Sequence, residues 1–326
     1  MGVRETTATV SADLLSAVLR ELRLESAGYR WLELGAPFRV GFDRPGLRGV
    51  HHVARGECEL ALDDGTVLPL ATGDLVIFPR GDAHVLRSPG ARGGPVTPGF
   101  ELAMRTPGTR LRAGGPRAGE PGGGARADAV VVCGAFVVGE PDHPALRGLP
   151  RIIHVPGVAG HPPPWLASLL QALAAEAFDG GAGSDLVMAR LSDALIIRAL
   201  RHHVSVGEQP GWLAGLRDPY VAAALAALHA DLGREWTVAG LAATAGLSRA
   251  AFSARFTRHV GEPAMRYLLT LRMQRAKTLL RDEQATVATV AARVGYRSEV
   301  AFAAAFRREV GLPPGVYRRS GQLLQE

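Results

Sequence analysis

The residues of this 326-residue chain best suited to chemistry are a few histidines and its only two cysteines. His51 and His52 stand side by side, Cys58 follows shortly, and His84 and Cys133 lie further on. Two imidazoles and two thiolates suit zinc in a closed tetrahedral site. The same two sulfurs, brought within reach of each other, make a thiol switch. Buried apart, they are small hydrophobes. The spacing is not that of a linear zinc motif, so the chemistry depends on whether the fold brings these residues together. No G-x-S-x-G, P-loop or HExxH signature competes with this set.

All five residues fall on segments that read as strands. "YRWLEL", "GVHHVA", "CELAL", "DLVIFP" and "HVLRS" alternate in polarity and are separated by turn residues such as "DDGT" and "PRGD". This predicts an antiparallel β region over about 29–88. Alternation puts Cys58 in phase with Leu60 and Leu62, and Glu57 on the other face. Before it, 13–24 has helical apolar spacing. The Gly-, Pro- and Arg-rich stretch of about 88–127 is expected to be a mobile surface insertion. "ADAVVVCGAFVV" reads as the last strand, followed by a less regular connection and by helices over 165–178 and 184–203. The broad apolar surface of the second helix is expected to support a homodimer. Trp31, Trp165, Trp212 and Trp236 read as packing residues.

"GDLVIFPRGDAH", Gly73 to His84, has the form G-x5-P-x-G-x2-H and resembles the second motif of the cupin barrel. "VHHVARGECELAL" stands where the first motif belongs, without its H-x-H pair. Residues 10–205 thus resemble a cupin-type sensor domain. The resemblance implies a closed β-barrel that senses a small molecule, a metal or a redox signal. It also admits an alternative, a metal-dependent cupin enzyme (a dioxygenase or isomerase), against which the missing H-x-H argues, because a catalytic metal needs about three firm protein ligands.

"TVAGLAATAGLSRAAFSARFTRHVGEPAMRYL" begins at Thr237, and "TVATVAARVGYRSEVAFAAAFRREVGLPPGVYR" repeats its pattern from Thr286. The offset is 49 up to Gly246 and Gly295, then 50 from Phe252 and Phe302 onward. Each copy has a short apolar helix, a glycine turn and a helix with phenylalanines four apart, which share one face. Ser248 and Ser298 are placed to cap the second helix of each pair. From Pro219 onward the chain carries 15 basic residues against 8 acidic, while the remainder is near neutral. A basic third beside a neutral remainder suits a polyanion. No apolar run is long enough for a membrane span, and the cytoplasm is the expected compartment.

These last hundred residues resemble the AraC/XylS-type DNA-binding domain. The resemblance implies two helix-turn-helix motifs over 218–320, joined to the sensor by a linker at 206–217, that bind double-stranded promoter DNA and work with RNA polymerase. By the family's pattern Ala250, Ser253 and Ala254 face bases in the first copy, and Val300, Ala303 and Ala304 in the second. Arg249, Arg258, Arg297, Arg307 and Arg308 are placed to hold phosphates. The expected fold class is α+β, a cupin-like antiparallel barrel with flanking helices followed by an all-α domain. The effector, the operator and the sign of regulation are not written in the sequence.

Overall fold

The computed structural model describes residues 14–19, 22, 24–105, 110–115, 127–139, 143, 146, 149–179, 181–206, 212–281 and 285–322. The chain divides into two compact units. One comprises 23–139 and 150–206; the other comprises 207–326 together with 1–22 and 140–149.

The first unit is built on eleven strands: β1 (Leu24–Gly35), β2 (Arg39–Phe42), β3 (Arg48–Arg55), β4 (Glu57–Leu62), β5 (Val67–Ala71), β6 (Leu75–Ile77), β7 (His84–Arg87), β8 (Thr97–Pro98), β9 (Arg110–Gly114), β10 (Ala129–Val138) and β11 (Ile153–Val155). They form a six-stranded sheet, β11-β6-β3-β10-β1-β9, and a five-stranded sheet, β5-β4-β7-β2-β8. The expected closed antiparallel barrel is not what forms. Two sheets enclose one core, and β9 and β8 pair parallel to β1 and β2. Part of the reason is chemical. Proline has no N–H to donate to a ladder, and Pro69 and Pro98 sit on β5 and β8, the two edges at which the second sheet stops.

The core explains the alternation. Leu32, Leu34, Val53 and Val131 from one sheet meet Val40, Cys58, Leu60 and Leu86 from the other. Strands β8 and β9 come from the stretch expected to be a mobile insertion, as does the helix Gly99–Arg105. Leu111 and Ala113 of β9 are buried in the core; the segments 106–109 and 116–126 lie outside the described residues. A short helical piece, α1, spans 14–19, and Gly99–Arg105 is α2. Helices α3 (Pro164–Asp179) and α4 (Ser184–Val206) pack together, and α4 also packs on β1. This corrects the use of α4 as an interface over its whole apolar surface. Leu195, Ile196 and Ala199 are fully buried inside the domain, so a charge at Leu195 would fall in the core. The exposed apolar side chains of α4 are Leu186, Val187 and Val206.

The second unit is helical: α5 (Trp212–Gly215), α6 (Pro219–Ala230), α7 (Val238–Thr244), α8 (Arg249–Val260), α9 (Ala264–Leu280), α10 (Val287–Arg293), α11 (Glu299–Val310) and α12 (Pro314–Gln322). Trp212, Leu213 and Leu216 are buried and α5 packs on α8, so this part of the expected linker belongs to the helical unit. Residues 207–211 lie outside the described residues. Asp218 caps α6 by accepting from the amides of Tyr220 and Val221, and its other oxygen takes Arg255 of α8 at 2.7 Å. One buried carboxylate thereby fixes a helix start and a helix pairing.

Candidate functional site

Two places in the molecule gather the residues singled out above. The first is the duplicated helix pair. Thr237 and Thr286 cap α7 and α10, and Ser248 and Ser298 cap α8 and α11 with their hydroxyls. The turns match as well. Gly246 and Gly295 both have positive φ, which lets the chain reverse without a Cβ clash. In each turn the following amide returns to the helix just ended, Leu247 to Ala242 and Tyr296 to Ala291, both at 2.9 Å. Phe252 and Phe256 pack 5.5 Å apart, and Phe302 and Phe306 5.6 Å apart; Tyr267 and Tyr317 close the two groups from the next helix. Those faces are buried.

The opposite faces are open. Ser248, Arg249, Ala250, Ser253, Ala254 and Arg258 are exposed on the first pair, and Ser298, Val300, Ala304 and Arg307 on the second, with Ala303 half-buried. Val300 is 80% exposed, a large apolar side chain held in solvent. The arginines are not equivalent. No ion-pair partner faces Arg249, Arg258 or Arg307 among the described residues. Arg297 is held by Glu235 through both a short Nε contact and an Nη2 bond of 2.6 Å, and Arg308 leans on Glu309 at 3.2 Å. Glu235 as a competitor for Arg297 was not foreseen; it sits outside the repeat, and no spacing rule points to it.

The second place is the cupin-like unit. Cross-strand register sets Arg30 of β1 opposite Cys133 of β10, and Cys133 opposite His51 of β3. This row faces the core side. The neighbouring row, Trp31, Val132 and His52, faces the other way. Of the two adjacent histidines, register therefore sends His51 to the core side with Cys133 and turns His52 away from it. His51 and His84 meet, with Nε2 atoms 2.7 Å apart. His52 points away and bonds the Asp74 carbonyl at 3.0 Å. Cys58 is packed in the core, with Cys133 against it. Among the described residues no group of three or more His, Cys, Asp or Glu is arranged to hold a metal ion. Two imidazoles already bonded to each other do not fit a closed zinc site, which needs four donors aimed at one point.

The histidine pair has one consistent proton arrangement. His84 Nδ1 faces the Asp82 carbonyl at 2.8 Å, so it carries the proton and donates. His84 Nε2 is then an acceptor, and His51 Nε2 donates to it. His51 Nδ1 is left as a buried acceptor without a hydrogen-bond partner among the described residues. The His84 ring is stacked on Phe78 at 3.6 Å and on Phe42 at 5.2 Å. Burial drives both imidazoles toward the neutral form: His84 falls to about 4, and His51 is lowered well below its ordinary value, with the His84 charge as a second cause. Burial lowers His52 to about 4 as well. The sulfurs move the opposite way. Burial pushes the Cys58 thiol up to about 12 and raises that of Cys133, which disfavours the thiolates that a switch or a metal would use.

A pH dependence follows. An unfolded histidine binds its proton near pH 6.5, whereas His52 and His84 resist it until about pH 4 and His51 is likewise held well below its ordinary value. Stability contributed by keeping them neutral is present above about pH 6.5 and is lost as pH falls toward about 4. Thermal unfolding between these limits should show a falling Tm, with a shallower slope in His52→Phe; an unchanged slope in that variant would sink the assignment.

Next to the histidines lies a cavity of about 260 Å³ whose wall includes Arg30, Arg48, His84, Phe100, Leu111 and Cys133. Arg48 is buried, 6% exposed, and donates to the Pro79 carbonyl at 2.8 Å and the Gly46 carbonyl at 3.4 Å. Burial lowers its pKa. Asp82, also in the wall, is bound by Arg151 at 2.7 Å.

A cupin-like unit and a duplicated helix pair with a basic outer face define a class: DNA-binding transcription regulators that carry a cupin domain. Family comparison agrees. A "Cupin" family model matches residues 13–205 and a "Helix-turn-helix domain" model matches 241–320. The chain belongs to the AraC-type transcription regulators with an N-terminal cupin domain. It is 36% identical to a putative AraC-like transcription regulator of Streptomyces lividans, covering 94% of this chain and 98% of the relative. It is 28% identical to the HTH-type transcriptional regulator AlkR of Acinetobacter baylyi, covering 94% and 99%. A solved structure of the DNA-binding domain of AdpA in complex with a target DNA aligns at 37% identity over 32% of this chain and 92% of that chain, with a TM-score of 0.30. The relatives are named as transcription regulators, which supports a regulator over a metal-dependent cupin enzyme. No helix among the described residues is long and apolar enough to cross a membrane.

Proposed function

We propose that both helix pairs are helix-turn-helix motifs, that α8 and α11 enter successive major grooves of promoter DNA, and that the cupin domain couples a small effector to this binding. The observation that carries the reading is the matched pair of capped helices with buried phenylalanines on one face and unpaired arginines beside an open face on the other. Arg249, Arg258 and Arg307 supply phosphate contacts, which position but do not specify. Ser253, Ala250, Ala254, Val300, Ala303 and Ala304 form the base-facing surface. Being small and mostly apolar, they suit thymine methyls and not bidentate readout, so groove shape carries a share of the specificity. Arg297 joins the phosphate contacts only when it leaves Glu235. Selecting duplexes from a random pool with the full chain tests this reading; a recovered pool without sequence enrichment sinks it.

The protein acts as a homodimer in this reading and engages RNA polymerase at the promoter. The exposed Leu186 and Val187 of α4 provide the self-association surface. Leu186→Asp is expected to sediment as a folded monomer at concentrations where the wild type is a dimer; a wild type that is itself monomeric defeats the proposal. The cavity of the cupin domain, together with thiols held in their protonated form, favours a small molecule over a metal or a redox signal as the stimulus.

A further inference from the structure

We infer that the cavity in the cupin domain binds a small organic acid, a carboxylate on an apolar body, with the acid group held by Arg30 and Arg48. The inference rests on the effector-sensing reading and names its ligand class.

The wall of the cavity holds more cations than carboxylates: Arg30, Arg44 and Arg48 against Asp43 and Asp82. Arg48 is buried, and its described bonds go to the carbonyls of Pro79 and Gly46. No carboxylate pairs with it among the described residues. Carbonyls orient a guanidinium but do not neutralise it, and a buried unpaired charge is costly. Arg30 donates one N–H to the Tyr29 carbonyl at 2.9 Å, while its Nε, also buried, has no hydrogen-bond partner among the described residues. It enters the core side of the sheet through the row it shares with Cys133 and His51. Two carboxylates do stand in the wall, and neither forms a described ion pair with these arginines. Asp82 gives Oδ1 to Arg151, which also binds Asp63 and Asp64, while its Oδ2 is buried without a hydrogen-bond partner among the described residues. Asp43 is exposed and forms no described ion pair. A third cation, Arg44, lies over the Phe100 ring at 3.6 Å.

The rest of the wall is apolar. Leu32, Leu111, Phe100 and Ala103 line it. A polar sugar would leave its hydroxyls against these groups, whereas a planar or aliphatic acid satisfies both parts of the wall. The volume, about 260 Å³, is just below the roughly 300–1,000 Å³ of pockets for drug-sized ligands. This sets the scale at a single small acid. A guanidinium suits a carboxylate because its fork of donors matches both oxygens, and this wall holds two that no carboxylate pairs with among the described residues.

The test uses the full chain with benzoate, phenylacetate and hexanoate, each against its neutral amide, and benzylamine as a cation. Calorimetric titration should show saturable binding of at least one acid and none of its amide or of the amine. Arg30→Gln should weaken the acid by about tenfold or more, the loss expected for a hydrogen bond to a charged group. Because Arg48 is buried and its variants can fail to fold, Ala103→Trp provides a second variant; it narrows the cavity from the partly exposed helix α2 and should abolish binding without touching either arginine. Equal binding of acid and amide, no binding by any of the acids, or wild-type affinity in Arg30→Gln overturns the inference. DNA selection on the same preparation separates the two readings: sequence enrichment without acid binding sinks the acid site alone, and acid binding without enrichment sinks the DNA reading alone.

Discussion

Between about 50 and 200 mM salt, the affinity of the full chain for its operator is expected to fall about a thousandfold. The number comes from counting. Arg249, Arg258 and Arg307 are exposed and unpaired among the described residues, and a dimer doubles them to about six phosphate contacts. Each phosphate neutralised releases condensed counterions and adds about 0.9 to the slope of log affinity against log salt. Arg297 and Arg308 are left out of the count because Glu235 and Glu309 already hold them. Anisotropy titrations across that salt range measure the slope directly. Arg258→Ala should lower it by about one per chain. A nearly flat salt dependence would contradict the assignment of this face to DNA.

Phe306→Ala is expected to cost about 3–5 kcal/mol, the range for removing a buried aromatic. Phe306 is fully buried, with its ring 5.6 Å from Phe302 and 5.5 Å from Tyr317. The surrounding side chains of Met273, Ala276, Leu280 and Val290 are anchored on helices and cannot collapse fully into the void. Against a total stability of about 5–15 kcal/mol, this is enough to loosen α11. Denaturant unfolding should show the loss, and operator binding should weaken with it. Phe306→Leu retains most of the volume and should cost far less. If the alanine variant unfolds at the wild-type midpoint, the ring is not the anchor that its burial indicates.

The helical unit was legible because the sequence repeats. Two copies of the Phe spacing, the serine caps and the turn glycines check each other, and an insertion of one residue after Gly295 does not blur them. The cupin domain was legible only in part. Alternation locates β4 and the burial of Cys58, but it does not say which of two adjacent histidines faces the core; the pairing of β3 with β10 decides that in favour of His51. Strands β8 and β9 were hidden by Gly and Pro, whose local preferences are overridden when Leu111 and Ala113 find a core to enter. The apolar surface of α4 carries no mark of its partner, and most of it is spent on β1 and α3. Arg30 did leave a trace. It is in phase with Leu32 and Leu34 and out of phase with Glu33, so the period of two already placed a cation on the core side.

Helix α9 joins the two copies without a break. Its Tyr267 closes the first phenylalanine group, its Met273, Ala276 and Leu280 lie in the core of the second, and Arg266 pairs with Glu309 of α11 at 2.8 Å. Seventeen residues at about 1.5 Å each make a rod of about 26 Å. Such a rod acts as a ruler and also as a phase lock. One base pair inserted between the two points of contact turns the second groove by about 34–36°, since a turn of DNA takes about 10–10.5 base pairs. A rod fastened at both ends cannot follow that rotation. In the proposed docking, sites for this protein can therefore drift in base identity far more readily than in length, and a promoter would escape control more easily by gaining or losing one base pair there than by exchanging several.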